Sequence, residues 1–322
     1  MMTEAPEALL EAVLHEALSG LASSPKTLSP WLFYDELGSR LFEQITALPE
    51  YYLTRVERSI LAAHADEIFR DGTSAVTIAE LGAGTAAKTG LLLEAATRFQ
   101  SEVLYQPIDV SPTALEEAAT AIAANIPGVA VRPRVANYIT EPFELERPDG
   151  SRILSLYIGS SIGNFTPKEA TAILHNLREH LQPGDSLLLG TDMAPGAHKS
   201  VAKLLAAYDD AAGVTAAFNK NILTRLNREL DANFDLDAFA HRARWNAKAS
   251  RIEMHLESLT AQTVSLAGKR IHFAQGETIH TENSYKFTDA AVTELLSSAG
   301  FEPVHIWHDD NRYFAVTLAR AV

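Results

Sequence analysis

Val76-Thr77-Ile78-Ala79-Glu80-Leu81-Gly82-Ala83-Gly84 holds the strongest architectural signal in the chain. Its apolar run ends on an acid and two glycines one residue apart, and helical spacing resumes over 86–99. A strand that ends in glycines and feeds a helix lets backbone approach a ligand closely and turns helix N–H groups toward it. The third glycine of the dinucleotide pattern is absent, because Ala87 stands in its place. Alone, Gly82-x-Gly84 is a weak signal, which a plain strand-to-helix turn also satisfies.

The surroundings carry more. Downstream, apolar strands alternate with helical patterns: strands over 103–110, 129–135, 152–159 and 187–190, and helices over 113–125 and 167–181. The last of these strands is entered through the turn Gln182-Pro183-Gly184-Asp185. Such alternation predicts an α/β fold with a parallel sheet. It then stops. Residues 196–245 read mainly as helix, and 251–273 as alternating strand with Ile252, Met254 and Leu256 on one face.

Sheet material returns at the end, as a helix over 288–300 and strands over 303–308 and 313–320. The four-residue polar link Asp309-Asp310-Asn311-Arg312 is too short for a crossover, so these two strands must be antiparallel. Upstream, residues 6–21 form an amphipathic pattern, and 31–69 read as mostly helical around a break at Leu48-Pro49-Glu50-Tyr51-Tyr52. The expectation is a nucleotide-binding sheet built from 57–195 and 285–322. An α+β lobe from 1–56 and 196–284 is inserted into it, and the cleft between lobes would suit a small substrate.

Bulk properties narrow the function. The 322 residues carry a formal charge of −14 and no cysteine. With no basic run, a chain this acidic repels phosphate backbones and anionic lipid, which argues against nucleic acid and membrane as partners. Thiolate metal sites, disulfides and a cysteine nucleophile are excluded. No basic start followed by an apolar core opens the sequence, and no apolar run reaches a membrane-spanning length of roughly 20 residues. His280, His305 and His308 show no ligand spacing, so no metal site is read. The expectation is a cytoplasmic, monomeric protein acting on a small molecule.

Asp109 ends the second strand, where a carboxylate can accept both ribose hydroxyls of a nucleoside; it could equally cap the helix behind Ser111-Pro112. Asn137 and Tyr138 follow the third strand, where an amide and an aromatic face could hold an adenine, or form an ordinary loop. Dehydrogenases share this half of the sheet, but they complete it with another parallel strand. The helix ending Ala299-Gly300-Phe301 and the antiparallel pair after it resemble the C-terminal end of class I (Rossmann-like) methyltransferases dependent on S-adenosylmethionine.

Longer motifs make the resemblance specific. Trp31-Leu-Phe-Tyr34-Asp-Glu-Leu-Gly38-Ser, Leu48-Pro-Glu-Tyr51-Tyr-Leu-Thr-Arg55, Glu80-Leu-Gly-Ala-Gly-Thr-Ala-Ala-Lys88-Thr and Gly159-Ser-Ser-Ile-Gly-Asn164-Phe-Thr-Pro lie in the first half. Ala207-Tyr208-Asp-Asp-Ala-Ala-Gly-Val-Thr215-Ala-Ala-Phe-Asn219, Arg251-Ile-Glu-Met254 and Thr281-Glu282-Asn-Ser284-Tyr-Lys-Phe287 follow. Over nearly the whole chain the sequence resembles the histidine Nα-methyltransferases of ergothioneine biosynthesis, which convert L-histidine to its trimethyl betaine, hercynine.

The resemblance implies S-adenosylmethionine as cofactor and S-adenosylhomocysteine as product, with cofactor contacts at Tyr34, Gly82, Lys88, Asp109, Asn137 and Tyr138. It implies amino-acid contacts at Tyr51, Asn164, Tyr208, Glu282, Asn283 and Ser284, for histidine and its mono- and dimethyl intermediates. One position departs. The family carries aspartate where Asn137 stands, and asparagine can still accept through its carbonyl oxygen, with a weaker contact.

Methyl transfer to an amine asks mainly for orientation, since the sulfonium already activates the methyl and the amine must be uncharged and in line. On this reading Tyr51 and Asn164 hold the amino end, and Tyr208 with Asn164 fixes the carboxylate. No motif residue is an obvious strong base, so each proton would pass to water. Glu282 and Ser284 alternate along an extended segment and point the same way, where a carboxylate and a hydroxyl can grip an imidazole N–H. Methylation of another amino acid or amine, nicotinamide-dependent oxidoreduction, and non-catalytic metabolite binding are the competing readings.

Overall fold

The computed structural model describes residues 4–322 except 71–74, 85, 87 and 140–142, so Ala87 of the glycine loop lies outside the described residues. The chain forms two compact units, Met1–Tyr52 with Lys199–Tyr285 and Leu53–His198 with Lys286–Val322.

The first unit begins with α1 (Glu4–Ala22), the short strand β1 (Lys26–Thr27) and α2 (Glu36–Ala47). The second opens on α3 (Leu53–Arg70) and then alternates through β2 (Val76–Leu81), α4 (Gly90–Phe99), β3 (Val103–Asp109) and α5 (Pro112–Asn125). Next come β4 (Val129–Val131), β5 (Arg134–Val135), β6 (Arg152–Tyr157), α6 (Pro167–Glu179) and β7 (Ser186–Asp192). The chain returns to the first unit for α7 (Val201–Ala206), α8 (Val214–Leu230), β8 (Phe239–Asn246), β9 (Arg251–Ser258), β10 (Gln262–Leu266), β11 (Lys269–Phe273) and β12 (Thr278–Tyr285). It ends in the second with α9 (Asp289–Ser298), β13 (Phe301–His308) and β14 (Phe314–Ala321).

In the second unit the sheet order is β13-β14-β7-β6-β2-β3-β4, with β5 also on β3. β2, β6 and β7 are buried along almost every residue, as strands covered on both faces must be. β14 runs antiparallel to both β7 and β13, while the pairs among β2, β3, β4, β6 and β7 are parallel. This is a class I (Rossmann-like) methyltransferase sheet with its C-terminal strand reversed. One core lies where Leu81, Tyr157, Leu174, Leu189, Leu296 and Phe301 meet.

The first unit has a sheet of order β1-β12-β9-β8 and a separate β10–β11 hairpin. α8 turns Phe218, Ile222 and Leu226 inward, and Ile252, Met254 and Leu256 of β9 are all buried.

Three local readings need correction. The helix after the glycine loop starts at Gly90 rather than at 86, because Ala86 takes the left-handed conformation (φ 53°), which a right-handed helix cannot include. The strand read over 129–135 is broken into β4 and β5 around Pro133, which has no N–H for the ladder. Residues 239–246 are strand where helix was expected. Their pairing with β9, from Phe239↔Ser258 to Asn246↔Arg251, outweighs a helical tendency by burying Phe239 and His241.

Candidate active site

In the second unit, strand order reverses at β2, with β3 and β4 on one side and β6 and β7 on the other. Ligands of open α/β sheets bind at the carboxyl ends of strands flanking such a reversal. Gly82 N and Ala83 N both donate to Ile108 O, at 2.8 and 3.3 Å, so the loop after β2 is pinned to the end of β3. Gly82 has φ 65°, and a Cβ there would stand 3.2 Å from Tyr138 Oη. At Gly84 (φ 53°) a Cβ would meet no described residue within 4 Å.

Among the described residues, Asp109 takes one hydrogen bond on each carboxylate oxygen, from Gly84 N at 2.9 Å and from Ser111 N at 2.9 Å. Ser111, not Asp109, caps α5, accepting from Ala114 N at 3.2 Å. Each oxygen of Asp109 therefore keeps a lone pair for another donor. Tyr138 is half-buried, its ring edge-on to Tyr157 at 5.8 Å, and burial raises its phenol pKa. Asn137 Oδ1 accepts from Ile139 N at 3.1 Å.

Lys88, in the same loop, is ion-paired to Glu57 of α3, whose side chain is wholly buried. The other Glu57 oxygen accepts from Gly159 N at 2.6 Å, just past β6. Beneath the loop Glu80 is 2% exposed; burial drives its pKa up to about 7, against the hydrogen bonds from Tyr105 and Thr89. Asn164 lies half-buried in the turn after β6. An acid at the end of β3, an aromatic ring beside the glycine loop and a lysine are groups that could hold an adenosyl amino acid.

In the first unit, Tyr51 and Tyr208 pack edge to face at 6.2 Å, and both are buried. Tyr208 Oη and Ser284 Oγ are 2.8 Å apart and also buried. A bulge in β12 sets what surrounds them. His280 pairs with His255 and Glu282 pairs with Met254, leaving Thr281 as the extra residue. Directly opposed residues share a face, so Glu282 joins Met254, and Ser284 joins Ile252, on the side that α8 covers. Without the bulge Glu282 would oppose Glu253 on the other side.

Behind this face runs a polar chain. Thr281 Oγ1 donates to Asn219 Oδ1 at 2.7 Å, Asn219 Nδ2 donates to His241 Nδ1 at 2.8 Å, and His241 Nε2 donates to Tyr208 O at 2.8 Å. His241 must be neutral to accept at Nδ1, and its pKa is lowered, chiefly by burial.

Two further expected residues lie in the first unit. Asn283 pairs with Glu253 and so lies on the sheet face opposite Glu282 and Ser284, with His255 and His280. Tyr34 belongs to the first unit, 44% exposed and edge-on to Phe42 and Phe218. Sequence reasoning missed Glu57, Gly190 and His241. Nothing local marks Glu57, one of three acids on an amphipathic helix, and His241 was hidden by the helical reading of its strand. Among the described residues no group of three or more His, Asp or Glu side chains could hold a metal ion.

Comparison with known proteins agrees with this architecture. The profile of the family described as histidine-specific, SAM-dependent methyltransferase matches residues 13–321. A protein of Mycolicibacterium smegmatis named histidine N-alpha-methyltransferase is 44% identical over 317 residues, 98% of this chain and 97% of its own length. One of the same name from Mycobacterium tuberculosis is 43% identical, covering 96% and 94%. A protein of Psilocybe serbica named L-tryptophan methyltransferase is 26% identical, covering 94% and 91%. With a glycine loop at the reversal of a class I sheet and a family profile spanning almost its full length, the chain belongs to the histidine-specific, S-adenosylmethionine-dependent methyltransferases.

Proposed function

We propose that the protein transfers three methyl groups from S-adenosylmethionine to the α-amino group of L-histidine, giving hercynine. The observation that carries the choice of amino acid is the placement of Glu282 and Ser284 on one face of the first unit's sheet, with Tyr208 Oη 2.8 Å from Ser284 Oγ. A carboxylate beside a buried pair of hydroxyls has a use for an imidazole N–H. An aromatic substrate without that donor forgoes a charge-assisted hydrogen bond, a larger loss than shape alone imposes.

The residues divide the work. Asp109 accepts from the ribose hydroxyls, Asn137 and Tyr138 hold the adenine, and Gly82, Lys88 and Tyr34 complete the cofactor contacts. Tyr51 and Asn164 orient the amine, while Tyr208 and Asn164 receive the carboxylate. The cofactor, when bound, supplies a methyl carbon activated on a sulfonium. The chain's part is to hold an uncharged amine in line with it, and the proton leaves to water.

Mass analysis of products after incubation with S-adenosylmethionine and single amino acids tests the reading. A gain of three methyl groups on histidine is expected. A gain stopping at one or two ends the claim of hercynine, and preferential methylation of tryptophan would favour the chemistry named for the Psilocybe relative. The enzyme is proposed to act as a monomer on free metabolites in the cytoplasm. Its charge of −14 supports the absence of a nucleic-acid partner, and a single monomer peak in gel filtration is the expected result.

A further inference from the structure

Glu57 is among the least exposed charged groups in the second unit, yet it lies in no motif. Its two oxygens serve two different loops. One is ion-paired to Lys88, in the loop after β2, and the other accepts from Gly159 N, just after β6, at 2.6 Å. β2 and β6 are the neighbouring strands at which the sheet order reverses, so one carboxylate ties together both loops that flank the ligand crevice.

Two glycines make room for this arrangement. A Cβ at Gly190 of β7 would overlap Glu57 Oε1, and a Cβ at Gly159 (φ 84°) would stand 3.1 Å from Lys88 Nζ. A carboxylate is expensive to bury unless its charge is matched and its lone pairs are used, and here both conditions are met. The Lys88 side chain stays 23% exposed, so the lysine is not sealed in the core.

We propose that Glu57 is a positioning residue for the cofactor: by fixing Lys88 Nζ and the Gly159 amide at once, it presets the two loops that receive S-adenosylmethionine. The inference rests on the placement of the cofactor at this edge of the sheet. Glu57 touches no ligand itself; it holds the groups that do. Without it Lys88 samples many rotamers, and binding must bear the cost of ordering it.

The test is calorimetric titration of the full chain with S-adenosylhomocysteine, using wild type, E57Q, K88M and the double variant. E57Q keeps the shape and can still accept from Gly159 N, but it loses the charge that fixes Lys88. Its affinity is expected to fall roughly tenfold, the scale of one charge-assisted hydrogen bond. E57Q/K88M should be no weaker than K88M within about twofold, because both changes remove one device. In steady state the KM for S-adenosylmethionine should rise with the same factor while that for histidine stays put, a split that general loosening of the fold would not give.

Wild-type affinity in E57Q, or losses that multiply in the double variant, overturns the proposal. If E57Q does not melt cooperatively, E57D decides. It keeps the charge but is one methylene too short to serve both partners, so retained wild-type affinity overturns the proposal and a loss supports it. D109A tests the underlying placement separately. If D109A binds S-adenosylhomocysteine as wild type does, the cofactor is not at this edge, whatever E57Q does.

Discussion

Glu282 and Ser284 stand two residues apart on β12, and Tyr208 reaches Ser284 from the segment after α7 at 2.8 Å. The first prediction follows from that grouping. Glu282→Ala should raise the KM for histidine by at least about tenfold, the scale of a charge-assisted hydrogen bond, with S-adenosylhomocysteine affinity held within about twofold. Unchanged histidine kinetics would remove Glu282 from the site. Tyr208→Phe deletes one hydroxyl of a buried pair, so it should cost about 1 kcal/mol in urea denaturation as well as weakening histidine binding. A purely catalytic effect, with no change in the urea midpoint, would contradict the packing described for the pair.

At the level of elements, the loop after β2 shows what glycine is for. Gly82 combines φ 65° with a Tyr138 hydroxyl 3.2 Å from where a Cβ would sit. Gly82→Ala should therefore lose roughly 1–2 kcal/mol to the left-handed backbone alone, read in the thermal midpoint. It should also push Tyr138 aside and weaken S-adenosylhomocysteine binding. An alanine variant with native stability and affinity would mean that the loop is a plain turn. The bulge at Thr281 is the counterpart in the first unit. It swaps which face Glu282 occupies, and Thr281 is anchored by hydrogen bonds to Asn219 and to Met254 O.

Across the whole molecule, buried groups of the two units respond to pH in opposite directions. In the first, His255 is held down to about 4, by burial first and then by the like charge of His280, and His241 and His280 are also lowered by burial. The unfolded chain takes up protons near the ordinary histidine value of 6.5 and the folded one does not, so stability falls as pH drops from 6.5 toward 4. In the second, Glu80 is raised from 4.5 to about 7. The folded state there binds the proton more tightly, so that contribution is full below 4.5 and is lost as pH rises through 7. His255→Gln should flatten the acid limb of a urea-stability profile, and Glu80→Gln the limb between pH 4.5 and about 7. Parallel profiles for wild type and variant would contradict either assignment.

Local pattern along the chain is enough to specify much of the architecture. The run 76–84, the alternation behind it and the four-residue link 309–312 carry the reversed class I sheet, since strand period, glycine conformation and crossover length are short-range constraints. The long motifs carry the family. Only the tertiary structure decided which face each residue of β12 presents, because one extra residue in a pairing inverts every side chain beyond it and leaves no mark in composition. It also turned 239–246 into strand, through partners on β9, and it brought Glu57 to Lys88, Gly159 and Gly190 from four separate elements. Such a contact is a property of packing, and a buried acid looks in sequence like any surface one until its neighbours are known.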